Sequence, residues 1–183
     1  MKKFKILGIA GSLRRESYNL ALLRAAEKLL PPDVELEIVT LENLPFYNQD
    51  LEYTNIPAVT DFKAKIKSAD ALLFSSPEYN YSIPGVLKNA LDVASRPWGE
   101  NSFAGKPAAI MGASIGNIAT ARMQYHLRQC LVFLDMYPIN KPEVMVSMAP
   151  EKVDEKGEIN DEKTKEKISE MLVALVAWAK KLA

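Results

Sequence analysis

Five stretches of strand-type apolar sequence, each followed by a helical pattern, leave this chain few ways to fold. Phe4–Ala10, Val34–Val39, Ala71–Phe74, Pro107–Met111 and Val144–Val146 read as strands. Phe4–Ala10 is apolar enough to be buried, while Val34, Leu36 and Ile38 alternate along the second strand. Tyr18–Leu30, Ala58–Ser68, Pro84–Ser95, Asn117–Asp135 and Asp161–Leu182 carry the helical spacing, and Pro31-Pro32-Asp33 stops the first of them. The last helix is expected to bury Ile168, Met171, Leu172, Leu175, Ala179 and Leu182. No linker or internal repeat interrupts the alternation. A strand–helix repeat of this kind predicts an α/β fold, a parallel sheet with helices on both faces. Right-handed crossovers fit a doubly wound five-stranded sheet in the order 2-1-3-4-5, with its switch point beside strands one and three. At 183 residues the chain is expected to form one domain spanning 1–183.

Composition excludes several functional classes. The 23 basic and 23 acidic residues balance, so no global field draws nucleic acid or a membrane surface. One cysteine and one histidine give neither a disulfide framework nor a cysteine-based metal site, and the lone cysteine fits a reducing cytosol. The apolar run after Met1-Lys2-Lys3 is too short for a signal sequence. No apolar run approaches the roughly 20 residues that a bilayer requires. A cytoplasmic protein without a metal centre is the expectation.

Chemistry concentrates in loops at the carboxyl edge of the expected sheet, where ligands of such folds bind. After strand one comes Gly11-Ser12-Leu13-Arg14-Arg15-Glu16-Ser17-Tyr18-Asn19. A helix start offers backbone N–H groups and a positive dipole end to a phosphate. Ser12 and Ser17 add hydroxyls, Asn19 an amide and Arg14 a guanidinium fork. The same residues also fit a plain helix start, with Ser17 as N-cap and Arg14 solvated. The segment has neither the Gly-Lys-Ser/Thr ending of a P-loop nor the G-x-G-x-x-G spacing of a dinucleotide site.

After strand three, Ser76-Pro77-Glu78-Tyr79-Asn80-Tyr81-Ser82 offers amides and aromatic surface between Pro77 and Pro84. It suits the polar edge of a flat heterocycle, and a surface turn with exposed tyrosines is its plainer reading. After strand four, Gly112-Ala113-Ser114-Ile115-Gly116-Asn117 permits close backbone approach and opens the next helix. That helix terminus is positioned to stabilise negative charge on a reduced ring. One phosphate and one ring plane point to a mononucleotide cofactor. Cys130, on the apolar stripe of the fourth helix, reads as core, and His126 as a surface or interface residue.

The three loops, in this order and spacing, resemble the NADPH-dependent FMN reductase family, and within it the bacterial quinone and chromate reductase branch. The matching segments are Gly-Ser-Leu-Arg and Ser-Tyr-Asn within 11–19, Pro-Glu-Tyr-Asn-Tyr-Ser at 77–82 and Pro-Gly-Val-Leu-Lys-Asn-Ala-Leu-Asp at 84–92. Gly-Ala-Ser-x-Gly at 112–116 and Gln-Tyr-His-Leu-Arg-Gln at 124–129 extend the likeness over nearly the whole chain. It implies a flavodoxin-like fold holding FMN, with the phosphate on Ser12, Arg14, Ser17 and Asn19. It implies the isoalloxazine against Pro77, Glu78, Tyr79 and Asn80, with Ser114 and Gly116 beside it. It also implies a homo-oligomer, a dimer or a tetramer.

The expected activity is ping-pong hydride transfer from NADPH or NADH to FMN, then to a small-molecule acceptor: a quinone, azo compound, flavin or metal oxyanion such as chromate. No side-chain acid or base is needed for that chemistry. The alternative is a flavodoxin-type electron carrier without NAD(P)H turnover, a class that tends to be acidic where this chain is neutral. The roles of Arg15 and of the Arg96-Pro97-Trp98-Gly99 turn stay open at this level.

Overall fold

The computed structural model describes residues 3–183. Strands β1 (Phe4–Ala10), β2 (Val34–Val39), β3 (Ala71–Ser75) and β4 (Pro107–Ala113) form a parallel sheet in the order β2-β1-β3-β4. Two short strands, β5 (Tyr137–Pro138) and β6 (Val144–Val146), share the fifth position and both pair with β4. The expected order 2-1-3-4-5 is therefore realised, with its fifth member interrupted. The chain leaves the ladder after the Ile139 N–H bonds Ala108 O at 2.9 Å, and returns at Val144 opposite Met111. Polar Asn140-Lys141-Pro142-Glu143 occupies the gap. Its proline has no N–H to donate to a ladder.

Helices α1 (Tyr18–Lys28) and α5 (Glu162–Leu182) cover one face, and α2 (Pro57–Ser68), α3 (Gly85–Ala94) and α4 (Ala121–Phe133) cover the other. The strands divide their side chains between the two cores with the period of two that a pleated strand dictates. Ala71 and Leu73 pack with α1 and α5, whereas Leu72 and Phe74 pack under α2, α3 and α4. On β4, Ala109 and Met111 face the first core and Ala108 and Ile110 the second. Both faces of the central strands are dry, which is why their sequences read as unbroken apolar runs.

Local differences from the expected boundaries have local causes. α4 begins at Ala121, four residues later than its apolar pattern suggests, because Ala119 adopts φ +54° and breaks the helical path. α5 packs Ile168, Met171, Leu172 and Leu175 into the core, but Leu182 in its final turn is exposed. The charged 152–160 segment is pinned by a Val153–Ile159 bridge, and Ile159 is buried. No helix among the described residues is long and apolar enough to cross a membrane.

α5 is anchored at both ends. Trp178 donates its indole N–H to Tyr137 O at 2.9 Å, tying the helix to β5. At its start Asp161 is the N-cap, accepting from Thr164 N–H at 2.9 Å and from the Thr164 hydroxyl at 2.5 Å. The Thr164 hydroxyl holds the Asp161 carboxyl below its usual value. A depressed carboxyl contributes stability that is complete above the unfolded value of about 3.9 and is lost as pH falls through the lower folded value. Asp161→Ala should cost about 1 kcal/mol near pH 7. Urea denaturation of both proteins should show that gap narrowing below about pH 4.

Candidate active site

Three segments leave the sheet at the carboxyl ends of β1, β3 and β4 and meet around Ser76. Gly11 donates its N–H to Ser75 O at 2.8 Å, and Ser76 donates its own to Met111 O at 3.2 Å. A Cβ on Gly11 would lie 2.5 Å from Ser76 Oγ, and one on Gly112 would lie 2.4 Å from both Ser76 O and Thr120 Oγ1. Only glycine permits this approach on either side of Ser76. The contact fixes the spacing of the three loops.

The loop between β1 and α1 gathers hydrogen-bond donors at the start of a helix. Ser17, extended at φ −73° and ψ 124°, caps α1 by accepting from the N–H groups of Asn19 at 3.2 Å and Leu20 at 3.4 Å. Buried Ser12 accepts from the Arg14 N–H at 3.3 Å. Both hydroxyls thus accept from backbone, which leaves their O–H protons for a ligand. The N–H groups of Leu13, Arg15 and Glu16 donate to no acceptor among the described residues. Arg14 is exposed, lies 4.4 Å over the Tyr18 ring and donates to Glu16 O. Hydroxyls, free N–H groups, a helix start and a guanidinium together fit a phosphate monoester.

Asn19 plays a different part from the one its neighbours suggest. Its amide N–H bonds Ala113 O at 3.0 Å and its amide oxygen accepts the Ala113 N–H at 2.8 Å. Its backbone carbonyl also accepts from Ser75 Oγ at 2.8 Å. With 3% of its surface exposed, the side chain is a clamp between α1 and the end of β4. It shapes the cradle from behind.

The loop after β3 divides in the same way. Tyr79 and Ser82 exchange backbone hydrogen bonds of 3.0 and 2.9 Å, closing a hairpin whose central residues, Asn80 and Tyr81, have φ +50° and +66°. Positive φ at both positions is what a type I′ turn requires. Asn tolerates it, but tyrosine there costs about 1 kcal/mol or more. Pro77 is half-buried, and Tyr79 and Asn80 are exposed at the mouth. The N–H groups of Glu78 and Asn80 donate to no acceptor among the described residues. The Glu78 side chain is only 5% exposed and turns toward α4. It accepts from Arg122 Nε at 2.6 Å and from the Met123 N–H at 3.1 Å. What this loop offers a ring edge is backbone N–H and aromatic surface.

That geometry corrects the expectation for the third loop. Thr120, the N-cap of α4, makes no side-chain cap bond, and Glu78 supplies the cap from another segment. One N–H at the positive end of α4 is therefore taken by a carboxylate, whose charge offsets that end of the dipole toward the third loop. Ser114 donates its N–H to Val146 O at 3.0 Å and accepts from the Ala149 N–H at 3.1 Å, which fixes the loop against β6. Ser114 Oγ accepts from the N–H of exposed Gly116 at 3.3 Å. Both remain at the same edge of the sheet as the other two loops.

Arg122 is not legible in the sequence as a site residue, since it stands 44 positions from Glu78 and nothing in its helical neighbours marks it. His126 is exposed with Nδ1 2.7 Å from Ser82 Oγ, and Cys130 is half-buried with burial pushing its thiol up. Arg15 lines a cavity of about 470 Å³ with Arg24, Pro150 and Lys156. Arg96 lies over the rings of Trp98 at 5.4 Å and Tyr47 at 6.0 Å, beside a cavity of about 330 Å³ behind the three loops' neighbours α2 and α3. That second cavity is larger than a surface dimple but touches none of the ring or phosphate residues.

Known proteins resemble this chain over nearly its whole length. The sequence model of the family described as NADPH-dependent FMN reductase matches residues 4–151. An NAD(P)H-dependent FMN reductase of Pseudomonas aeruginosa is 54% identical over 179 residues, covering 97% of this chain and 96% of the relative. A 2-hydroxy-1,4-benzoquinone reductase of a Burkholderia species is 42% identical over 176 residues, covering 96% of each chain. Among solved structures, a flavoenzyme NAD(P)H:(acceptor) oxidoreductase from Paracoccus denitrificans superposes with a TM-score of 0.89 at 36% identity, covering 97% of both chains.

The clamp assignment of Asn19 separates stability from ligand binding. Asn19→Ala strands a buried N–H and a buried C=O of Ala113, and should lower the unfolding free energy of the cofactor-free protein by about 2–4 kcal/mol. Urea denaturation measures it. Unchanged stability would return Asn19 to the role of a ligand contact.

Proposed function

This chain belongs to the NADPH-dependent FMN reductase family, and from that premise we propose that it reduces quinone-type acceptors with electrons from NAD(P)H through bound FMN. The observation that carries the reading is the adjacency of a phosphate cradle after β1 and a loop with free N–H groups after β3, on neighbouring strands. That pair of sites matches one phosphate and one polar ring edge, the two ends of a mononucleotide. The names of the relatives, FMN and benzoquinone reductases, agree with it.

Bound FMN supplies acceptance of a hydride from NAD(P)H and release of two electrons to the acceptor. The chain binds and orients. Ser12, Arg14 and Ser17, with the N–H groups of the same loop, hold the phosphate; Asn19 keeps that loop against β4. Pro77, Tyr79 and Asn80 border the ring, joined by the Glu78 N–H, with Ser114 and Gly116 alongside. Hydride transfer depends on stacking and distance, so a rigid wall serves it and no general base is required.

Two further features belong to this reading. A dimer or tetramer is supported by exposed Trp98 and Phe133, whose ring centroids lie 6.4 Å apart on one surface. A cytoplasmic location is supported by the single cysteine, free in this chain.

The test starts from protein stripped of flavin. FMN should bind, NADPH or NADH should bleach it anaerobically, and a benzoquinone should restore its colour. Flavin that binds without being reduced would favour the electron carrier, and no uptake of FMN would remove both. Arg14→Gln should weaken FMN binding about tenfold to a hundredfold, as loss of a charge-assisted hydrogen bond predicts. Light scattering should give two or four times the monomer mass.

A further inference from the structure

We propose that Arg122 is a positioning residue for the ring-facing loop, holding the Tyr79–Ser82 hairpin in its binding conformation from the first turn of α4. The proposal rests on the FMN reading above and goes beyond it, because Arg122 itself is outside both the phosphate cradle and the ring loop.

The hairpin cannot hold its shape by local preference. Its turn places Tyr81 at φ +66°, where an L side chain is disfavoured, and Tyr81 is 70% exposed, so the core does not compensate. Contact with the Arg122 side chain compensates instead. The Arg122 guanidinium lies 3.6 Å from the Tyr81 ring centroid, stacked on its face. The same guanidinium donates from Nε to Glu78 Oε1 at 2.6 Å, and the other Glu78 oxygen accepts the Met123 N–H at 3.1 Å. One side chain thus grips the residue before the hairpin and a residue at its tip.

Tyr79 and Asn80 lie between those two grips. Ser82, bonded to His126 one turn further along α4, closes the far side. The hairpin is therefore docked along α4 at positions 122, 123 and 126, while the N–H groups of Glu78 and Asn80 are left without partners among the described residues. A donor that is already aimed requires no ordering when a ring edge arrives, and this is how a residue remote from the ring strengthens binding. Arginine is the side chain suited to both grips at once, because its planar fork bonds a carboxylate while its face stacks on an aromatic ring.

Two variants and two readouts test the assignment. Arg122→Gln removes charge and stacking; Tyr81→Leu keeps the backbone demand of the turn and removes only the ring. In the FMN-free protein, hydrogen exchange at the Tyr79 and Ser82 amides should accelerate at least about tenfold in each variant. In FMN titrations Tyr81→Leu should bind about tenfold more weakly and Arg122→Gln at least as weakly, because it also frees Glu78; the double variant should bind no more weakly than Arg122→Gln alone, since the stacking that Tyr81→Leu removes is already lost. With FMN saturating, flavin reduction should slow while the KM for NADPH is unchanged.

Exchange at wild-type rates, or effects of the two substitutions that multiply, would overturn the proposal. Should Arg122→Gln fail to fold, Arg122→Lys and Tyr81→Leu carry the same comparison. Failure of the wild-type protein to bind FMN would instead sink the functional reading, and the exchange measurement would still decide whether Arg122 orders the hairpin.

Discussion

The carboxyl edge of this sheet is organised by how closely three backbones approach at Ser76. Gly11 on one side and Gly112 on the other leave no room for a Cβ, so the loops after β1, β3 and β4 can move only as a set. The polar groups at this edge take their positions from that contact. The hydroxyls of Ser12 and Ser17, the N–H groups around Leu13 and Arg15, and those of Glu78 and Asn80 belong to loops that a longer side chain at either glycine would separate. Overpacking of this kind in a tight interior costs about 1–3 kcal/mol even where the backbone yields.

A division of labour follows. The polar side chains that look most like ligands in the sequence are largely occupied with structure. Asn19 joins α1 to Ala113, and Glu78 caps α4 while pairing Arg122. Backbone N–H groups and small hydroxyls are what remain directed outward. The arrangement is economical for a flavin site, because backbone donors are fixed by the fold and need no rotamer to be ordered on binding. Tyr79 stays exposed at the mouth of the same edge.

This division marks the limit of what the sequence makes legible. The strand–helix alternation and the placing of the three loops follow from periodicity: the apolar runs of β1, β3 and β4 demand two covered faces, and right-handed crossovers fit the order 2-1-3-4-5. The cap at Ser17 is local and equally readable. Asn19 and Glu78 are different, because a residue type states what it can bond and not where its partner lies. Ala113 and Met123 are 94 and 45 positions away. Arg122 carries no local mark at all, its meaning existing only where α4 crosses the hairpin. The late start of α4 depends on the left-handed Ala119, which an apolar pattern does not register.

The broken fifth position has a consequence for the molecule as a whole. β5 and β6 flank β4 with only a few paired residues each, and the chain between them is off the ladder from Asn140 to Glu143. The opposite border, β2, carries Glu35 and Glu37, the latter pinned by Lys5 at 2.9 Å and Lys65 at 3.3 Å. Neither border therefore offers the long, uncharged row of free amides and carbonyls on which a second sheet would grow. Growth of the sheet from copy to copy is disfavoured at both borders, which leaves helix and loop surfaces, the exposed Trp98 and Phe133 among them, for any contact between copies.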